Sequence, residues 1–287
     1  MSDIPLSGAP LSSPVDREEQ ARQRQRRLER LGAWVMPALV VGITLLGWDW
    51  VVRANEIPHY ILPGPGLVGE TLIEDWSILY PALQITLTIT MLALATAVAL
   101  GVGLAILFSL SKWIEMSLFP YAVILQVTPI ISIAPLIFIY VDSKLAGLLI
   151  CAWIVAFFPI LSNTTLGLNS ADHGLRDLFR IYGASRWQTL RLLQIPSAMP
   201  FFLAGLKIAG GLSLIGAVVA EYVAGTGGVG SGLAYTILEA SYRLDIARMF
   251  AALALIALTG VAIFATTSLI AHLCLRRWHE SALTRER

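Results

Sequence analysis

Charge is scarce in this chain. Only 14% of its 287 residues are charged, against about 25% in a soluble domain. That deficit excludes an ordinary water-soluble fold, and the mean hydropathy of +0.73 points to a membrane protein. Net charge is +1, so a polyanionic partner such as nucleic acid is not expected. Cysteine is nearly missing. Cys151 and Cys274 each lie in an apolar run without metal-ligand spacing, which makes them small core residues. Histidine is scarce too. His59, His173 and His279 fall outside the apolar runs, and His272 has no acid or second histidine near it in sequence. Neither a metal site nor a nucleophile and base pair is expected, and hence no catalysis by this chain.

Two further motifs are missing. There is no G-x-x-x-x-G-K-[ST] phosphate loop, so the chain is not itself an ATP-driven motor. The run GTGGVG at 225–230 does satisfy G-x-G-x-x-G. It follows an apolar run rather than a strand, so it is read as a tight re-entry turn and not as a nucleotide site. The N-terminus lacks an apolar core behind a charge cluster, so a cleavable signal peptide is not expected. Residues 1–14 are polar and rich in Pro and Ser, the composition of a disordered lead-in. Residues 17–32 carry six arginines without a clear apolar stripe. They read as a solvated helix running into the membrane surface, and segment 1–32 as a basic tail.

Apolar runs are what the chain has in abundance. A bilayer core of about 30 Å needs roughly 20 apolar residues in a helix. Six runs meet that need: 33–52, a span inside 76–111, 116–141, 145–168, 200–224 and 250–275. The second run is longer than a span requires, so its first turns are expected along the surface. The third is punctuated by Pro120, Pro129 and Pro135. The fold expected is therefore all-α and integral to the membrane, with six transmembrane helices over 33–275 and a short tail at 276–287.

Basic residues set the orientation, because cytoplasmic loops collect them. Six spans put both tails on one side. That side holds fifteen Lys and Arg: Arg17, Arg22, Arg24, Arg26, Arg27, Arg30, Lys112, Arg176, Arg180, Arg186, Arg191, Arg276, Arg277, Arg285 and Arg287. The other side holds Arg53, Lys144, Arg243 and Arg248. Both termini and the loop at 170–200 are thus expected in the cytoplasm.

That loop interrupts the greasy pattern. Asp172 is placed to cap one short helix, Gly183 breaks it, and Ser185 is placed to cap a second, RWQTLRLLQI. Pro196 and Pro200 are expected to end the second helix before span five begins. Two short helices with an elbow form a knuckle suited to a cleft in a soluble partner. An amphipathic helix lying in the headgroups is the rival reading.

The knuckle resembles the signature loop of permease subunits of binding-protein-dependent ABC importers. That signature reads Glu-Ala-Ala, three residues, Gly, nine residues, Ile, one residue, Leu-Pro. Here Gly183 takes the glycine, Leu193 the isoleucine, and Ile195-Pro196 the Leu-Pro pair, without a gap. Asp177-Leu178-Phe179 stand where the family has Glu-Ala-Ala, so the carboxylate is one methylene shorter and two alanines are replaced by bulky groups. The stretch GASRW after the glycine, TPIISIAPLIFIY at 128–140 and GAVVAEYVAGTGGVGSGLAYTI at 216–237 look like the nitrate, sulfonate, taurine and pyrimidine-precursor group. The resemblance runs from about residue 58 to 275.

The resemblance implies a type I ABC importer permease fold in a bacterial inner membrane. It implies a coupling helix between spans four and five that touches an ATPase through Asp177, Gly183, Ala184, Ser185, Arg186, Trp187 and Pro196. It also implies the partners: two ATP-binding subunits carrying the ATP and Mg, a periplasmic solute-binding protein, and a second permease copy, most simply a homodimer. In that family span five, whose small residues are Gly205, Ala209, Gly210, Gly211, Gly216, Ala217 and Ala220, lines the contact with the second permease. No cofactor is expected in this chain. The substrate expected is a small sulfonate, nitrate or pyrimidine-like solute.

Polar residues within spans are costly in lipid, so they are candidates for the solute pathway. They are Gln126, Thr128, Ser132, Asn163, Ser213 and Glu221, each with an interhelical hydrogen bond as the plainer role. Glu221 lies near the outer end of span five, where it would brace the outer loop or meet the binding protein, with Arg243 or Arg248 as its partner. Lys207 is expected to snorkel to the surface. A secondary active transporter is the alternative function. It calls for inverted repeats and midplane charges, and apart from Lys207 neither is evident.

Overall fold

The computed structural model describes residues 14–225 and 231–276. All regular elements among them are helical. The lead-in at 1–13, the turn at 226–230 and the tail at 277–287 lie outside the described residues. The chain divides into two compact units. The first is dominated by α1 (Pro14–Ala54), a single helix of 41 residues. Its apolar stretch is Val35–Ala54. At its far end Asp49 pairs with Arg53 at 2.7 Å, so the one acid in the span faces a cation one turn away.

The second unit holds everything from α2 (Pro65–Glu74) onward except residues 64–66. Then come α3 (Trp76–Leu110), α4 (Lys112–Val127), α5 (Ile130–Tyr140) and α6 (Lys144–Asn169). After them follow α7 (His173–Ile181), α8 (Arg186–Thr189), a π turn at Leu190–Gln194, α9 (Ile195–Ala224), α10 (Leu233–Tyr242) and α11 (Ile246–Leu275). Five helices among the described residues are long and apolar enough to cross a membrane, and the α4 and α5 pair makes a sixth crossing if taken as one span.

Glycine lets the central helices touch. A Cβ added to Gly205 would come within 2.8 Å of the Pro159 carbonyl, and one on Gly216 within 2.8 Å of Ala152 Cα. A Cβ on Gly167 would lie 2.8 Å from Ala198 Cα. These three contacts run in opposite chain directions, so α6 and α9 are an antiparallel pair in close backbone approach. Gly101 of α3 fits against Ile160 of α6 in the same way, at 2.8 Å. Span five's small residues are therefore largely consumed within the chain. Gly205 and Gly216 serve α6, and Gly210 faces Ile263 of α11 at 3.0 Å. Only Gly211 has open space where a side chain would stand.

The third span breaks once, not three times. Pro120 and Pro135 lie inside α4 and α5. The break falls at Thr128 and Pro129, whose ψ angles of 120° and 116° are extended. Proline disfavours the α region for the residue before it and offers no amide, and here the two helices diverge by 103°. The pair nonetheless makes a net crossing. The last turns of α3 and α6 are both bonded to the α7 and α8 segment, as described below, so the chain must return between them.

Two sets of contacts mark the ends of these helices. At one end Arg186 bonds the Leu110 carbonyl and Arg176 the Leu168 carbonyl. At the other, Thr86 and Glu221 bond the start of α10. Thr86 and Leu110 are about 36 Å apart along α3 at 1.5 Å per residue. Gln194 and Glu221 are about 40 Å apart on the same rise. Both match a 30 Å hydrocarbon core plus its headgroup layers. α3 continues from Thr86 for a further 16 Å or so to Asp75. Its first turns are one continuous helix with the span, a correction to the surface-lying start expected from the sequence.

Candidate functional site

The knuckle is built by local chemistry. The Asp172 carboxylate accepts the Leu175 amide at 2.9 Å and opens α7. Gly183 ends it with φ of +68°. The Gly183 amide donates to the Arg180 carbonyl at 3.0 Å and the Ala184 amide to the Phe179 carbonyl at 2.9 Å. That is a Schellman stop, and it asks for glycine at the left-handed position. Ser185 then opens α8 with a capping box: its hydroxyl accepts the Gln188 amide at 3.2 Å, and the Gln188 side chain accepts the Ser185 amide at 2.7 Å.

The second helix does not stop at Pro196. From Arg186 the chain is helical without interruption to Ala224. Proline removes one helical amide and crowds the carbonyl four residues back. The π turn at Leu190–Gln194 stands just before it, and α9 begins at Ile195 with Pro196 in its first turn. A wider turn takes up the register that proline disrupts. The expected gap between knuckle and span five is thus replaced by a continuous rod.

Three side chains clamp this segment to the membrane helices. Arg176 and Gln194 both donate to the Leu168 carbonyl, at 2.9 and 3.3 Å. Arg186 donates to the Leu110 carbonyl at 3.3 Å. Those carbonyls lie in the last turns of α6 and α3, where no amide of the helix remains for them and the dipole favours cations. What the clamp leaves outward includes large apolar groups. Ile181 and Tyr182 are each 82% exposed and Trp187 is 60% exposed. Asp177 is exposed beside them on α7, and Ala184 is half-buried under the elbow.

The candidate pathway residues are not gathered in one place. Gln126, Thr128 and Ser132 cluster at the break in the third span, with Gln126 and Ser132 exposed. The Thr128 hydroxyl donates back to the Ile124 carbonyl at 2.7 Å. Asn163 donates to the Pro159 carbonyl at 2.8 Å, in the seam opposite Gly205. Ser213 is fully buried and donates to the Gly210 carbonyl at 2.9 Å.

Glu221 sits at the opposite end from the knuckle, 4% exposed. Its Oε2 accepts the Ala234 amide at 3.0 Å, while the Thr86 hydroxyl oxygen accepts the Leu233 amide at 2.9 Å. α10 has glycine at its N-cap, so its orphan amides take caps from α9 and α3 instead. A Cβ on Gly232 would overlap the Glu221 carboxylate. Neither expected arginine meets Glu221. Arg248 forms a two-pronged pair with Asp75, at 2.6 and 3.2 Å, and Arg243 pairs with Glu239 at 2.7 Å. The brace comes from backbone amides. Thr86, Gly232, Arg176 and Gln194 escaped the sequence reading. The only local sign was a helix start with glycine where a capping side chain belongs.

Comparison with known proteins agrees with this geometry. Residues 97–279 match the family described as binding-protein-dependent transport system inner membrane component. The riboflavin transport system permease protein RibX of Chloroflexus aurantiacus is 33% identical over 89% of this chain and 96% of its own length. The formylaminopyrimidine transport permease protein ThiX of Halalkalibacterium halodurans is 30% identical over 80% of this chain and 90% of its own. The inward-facing MetNI methionine ABC transporter shares the fold, with a TM-score of 0.61 at 17% identity over 70% of this chain and 97% of that chain.

Proposed function

The chain belongs to the family of binding-protein-dependent transport system inner membrane components, and from that membership we propose how its parts divide the work of import. It is a multi-pass permease subunit of an ABC importer, with the type I permease fold. In our reading the 170–200 knuckle enters a cleft on a separate ATP-hydrolysing subunit. ATP and Mg belong to that subunit, two of which serve a pair of permeases. Asp177 and 183–187 make the contact, and Pro196 with its π turn stiffens the link to α9.

The clamped knuckle carries this reading. Its exposed apolar tip offers a soluble partner something to grip. Its bonds to Leu110 and Leu168, and its unbroken run into α9, make any displacement of the tip a displacement of three spans. A cleft that closes with ATP then biases two states of the membrane domain, which is alternating access. The asymmetry of basic residues supports placing the knuckle and both termini in the cytoplasm. A second, identical permease fits the stripe that α9 leaves open, at Ala204, Ile208, Gly211 and Ile215. Gln126, Thr128 and Ser132 face the solute, and Asn163, Ser213 and Glu221 hold their helices from behind. A periplasmic binding protein delivers a small solute. Among sulfonates, nitrate and pyrimidine-like rings, the likeness to RibX and ThiX favours the nitrogen heterocycles.

A photo-reactive residue in place of Trp187 tests the contact. In membranes of the native host it is expected to yield an adduct with an ATP-hydrolysing subunit, identified by mass spectrometry, and adenine nucleotide should change the yield. Adducts with lipid alone would assign the knuckle to the headgroup layer instead.

A further inference from the structure

A cavity of about 460 Å³ opens between the first turns of α3 and α6, at the end away from the knuckle. Neither the brace nor the coupling uses it. α3 and α6 run the same way, since the last turns of both are bonded to the knuckle segment. Position along either helix is therefore depth in the membrane. Gln84 and Lys144 line the cavity near the helix starts, and Ile85, Ile89 and Leu148 line it further in. Leu148 lies about 6 Å deeper than Lys144, and Ile89 about 7.5 Å deeper than Gln84, on the helical rise. Gln84 stands within a turn of Thr86, which caps α10 at this end. The polar groups thus sit at headgroup level, and the deeper wall is aliphatic. Thr88 is the one polar lining group further in. Its hydrogen is spent on the Gln84 carbonyl at 2.7 Å.

The polar end is rich in donors. The Gln84 side-chain nitrogen gives one hydrogen to the Tyr80 hydroxyl oxygen at 3.0 Å. That leaves its second hydrogen and the hydroxyl's own for a ligand. Lys144 adds an ammonium. It opens α6 just after its cap, where Ser143 accepts the Ala146 amide at 3.4 Å, so the positive end of the helix dipole lies beside it. Such a rim suits an acceptor with negative charge. The charge it suits is small, because Lys144 is within electrostatic reach of Glu221 and Asp142 is exposed two positions earlier. A phosphodiester, with one charge, fits better than a dianion.

We propose that this cavity binds one phospholipid from the leaflet opposite the knuckle. Lys144, Gln84 and Tyr80 hold its phosphodiester, and an acyl chain runs inward past Ile85, Ile89 and Leu148. The lipid fills what the side chains leave open between two helices that meet closely further in, at Gly101 and Ile160. A free sulfonate or nitrate would meet the donors but leave the aliphatic wall wet. The assignment is independent of the importer reading, since nothing in it needs ATP or a transported solute.

Native mass spectrometry of the full-length permease, stripped of bulk lipid in detergent, tests it with phosphatidylglycerol and phosphatidylethanolamine as probes. One phospholipid is expected to stay on each wild-type chain. Lys144→Met keeps most of the aliphatic stem and should lower occupancy about tenfold, as for one charged hydrogen bond. Thr88→Trp fills the cavity from an exposed position and should empty it of lipid. Arg243→Met removes a cation that pairs with Glu239 and does not line the cavity, and should change nothing. Phospholipid added back should raise the melting temperature of the wild type and of Arg243→Met by several degrees, and leave the other two unmoved. These melting curves, started from stripped protein, also show whether each variant is folded. Equal retention by all four proteins, or no lipid on the wild type, overturns the inference. So does displacement of the lipid by a free sulfonate, nitrate or inorganic phosphate, which would make the cavity a solute site.

Discussion

A Gly183→Val permease is expected to reach the membrane in normal amount and to lose uptake, by up to about thirtyfold. The backbone at Gly183 is left-handed, at φ of +68°. A Cβ there would meet no atom within 4 Å, so the effect is conformational and not a clash. An L-residue pays roughly 1–2 kcal/mol in that region, and a β-branched one lies at the upper end. About 2 kcal/mol shifts the ratio of native to alternative elbow geometries some thirtyfold on the usual scale of 1.4 kcal/mol per factor of ten, which sets the upper bound on the loss. The close contacts of α6 with α3 and α9 lie elsewhere and are kept. Gly183→Asn should lose much less, because asparagine visits the left-handed region readily. Uptake per reconstituted molecule, measured beside the melting temperature, checks both. A valine variant that transports normally would mean that the elbow geometry is irrelevant to coupling.

The second large effect lies at the opposite end. Gly232→Ala should destabilise the permease by about 2–3 kcal/mol, the cost of orphaning a buried polar group. No room exists for its Cβ beside the Glu221 carboxylate, so the carboxylate must swing aside and the Ala234 amide lose its 3.0 Å cap. Glu221→Ala removes the same cap by the other route. The two changes are therefore expected to be non-additive. The double variant should melt no lower than Glu221→Ala alone, because the smaller side chain leaves space for the new methyl. Melting curves of the four proteins in one detergent decide it. Strictly additive losses would show that the carboxylate and the glycine do not share a site.

Local devices were legible in the residues, and long-range ones were not. Asp172, Gly183 and Ser185 announce themselves because a cap and a left-handed stop are made within a few residues of their own backbone. The six apolar runs are equally plain, since each must fill a bilayer. Pro196 misled, because a proline reads as an end of helix unless a preceding π turn absorbs it. Pro120, Pro129 and Pro135 look alike in sequence, yet only Pro129 breaks the span. Span five's glycines suggested a face for another chain, while Gly205 and Gly216 are spent on α6. The Glu221 brace was invisible for a different reason. Its partners are backbone amides at 233 and 234 and a threonine 147 positions from Leu233, and amides carry no letter in a sequence.

The central claim is that this permease is driven by ATP through its knuckle. The most direct measurement is uptake into proteoliposomes holding the permease with its ATP-hydrolysing subunit, with the solute-binding protein and solute on the opposite side, ATP offered on the knuckle side alone and a protonophore present. Uptake is expected to require ATP, ignore the protonophore and fall in Gly183→Val as described above. Uptake that proceeds without ATP and collapses with the proton gradient would contradict it and identify a secondary transporter.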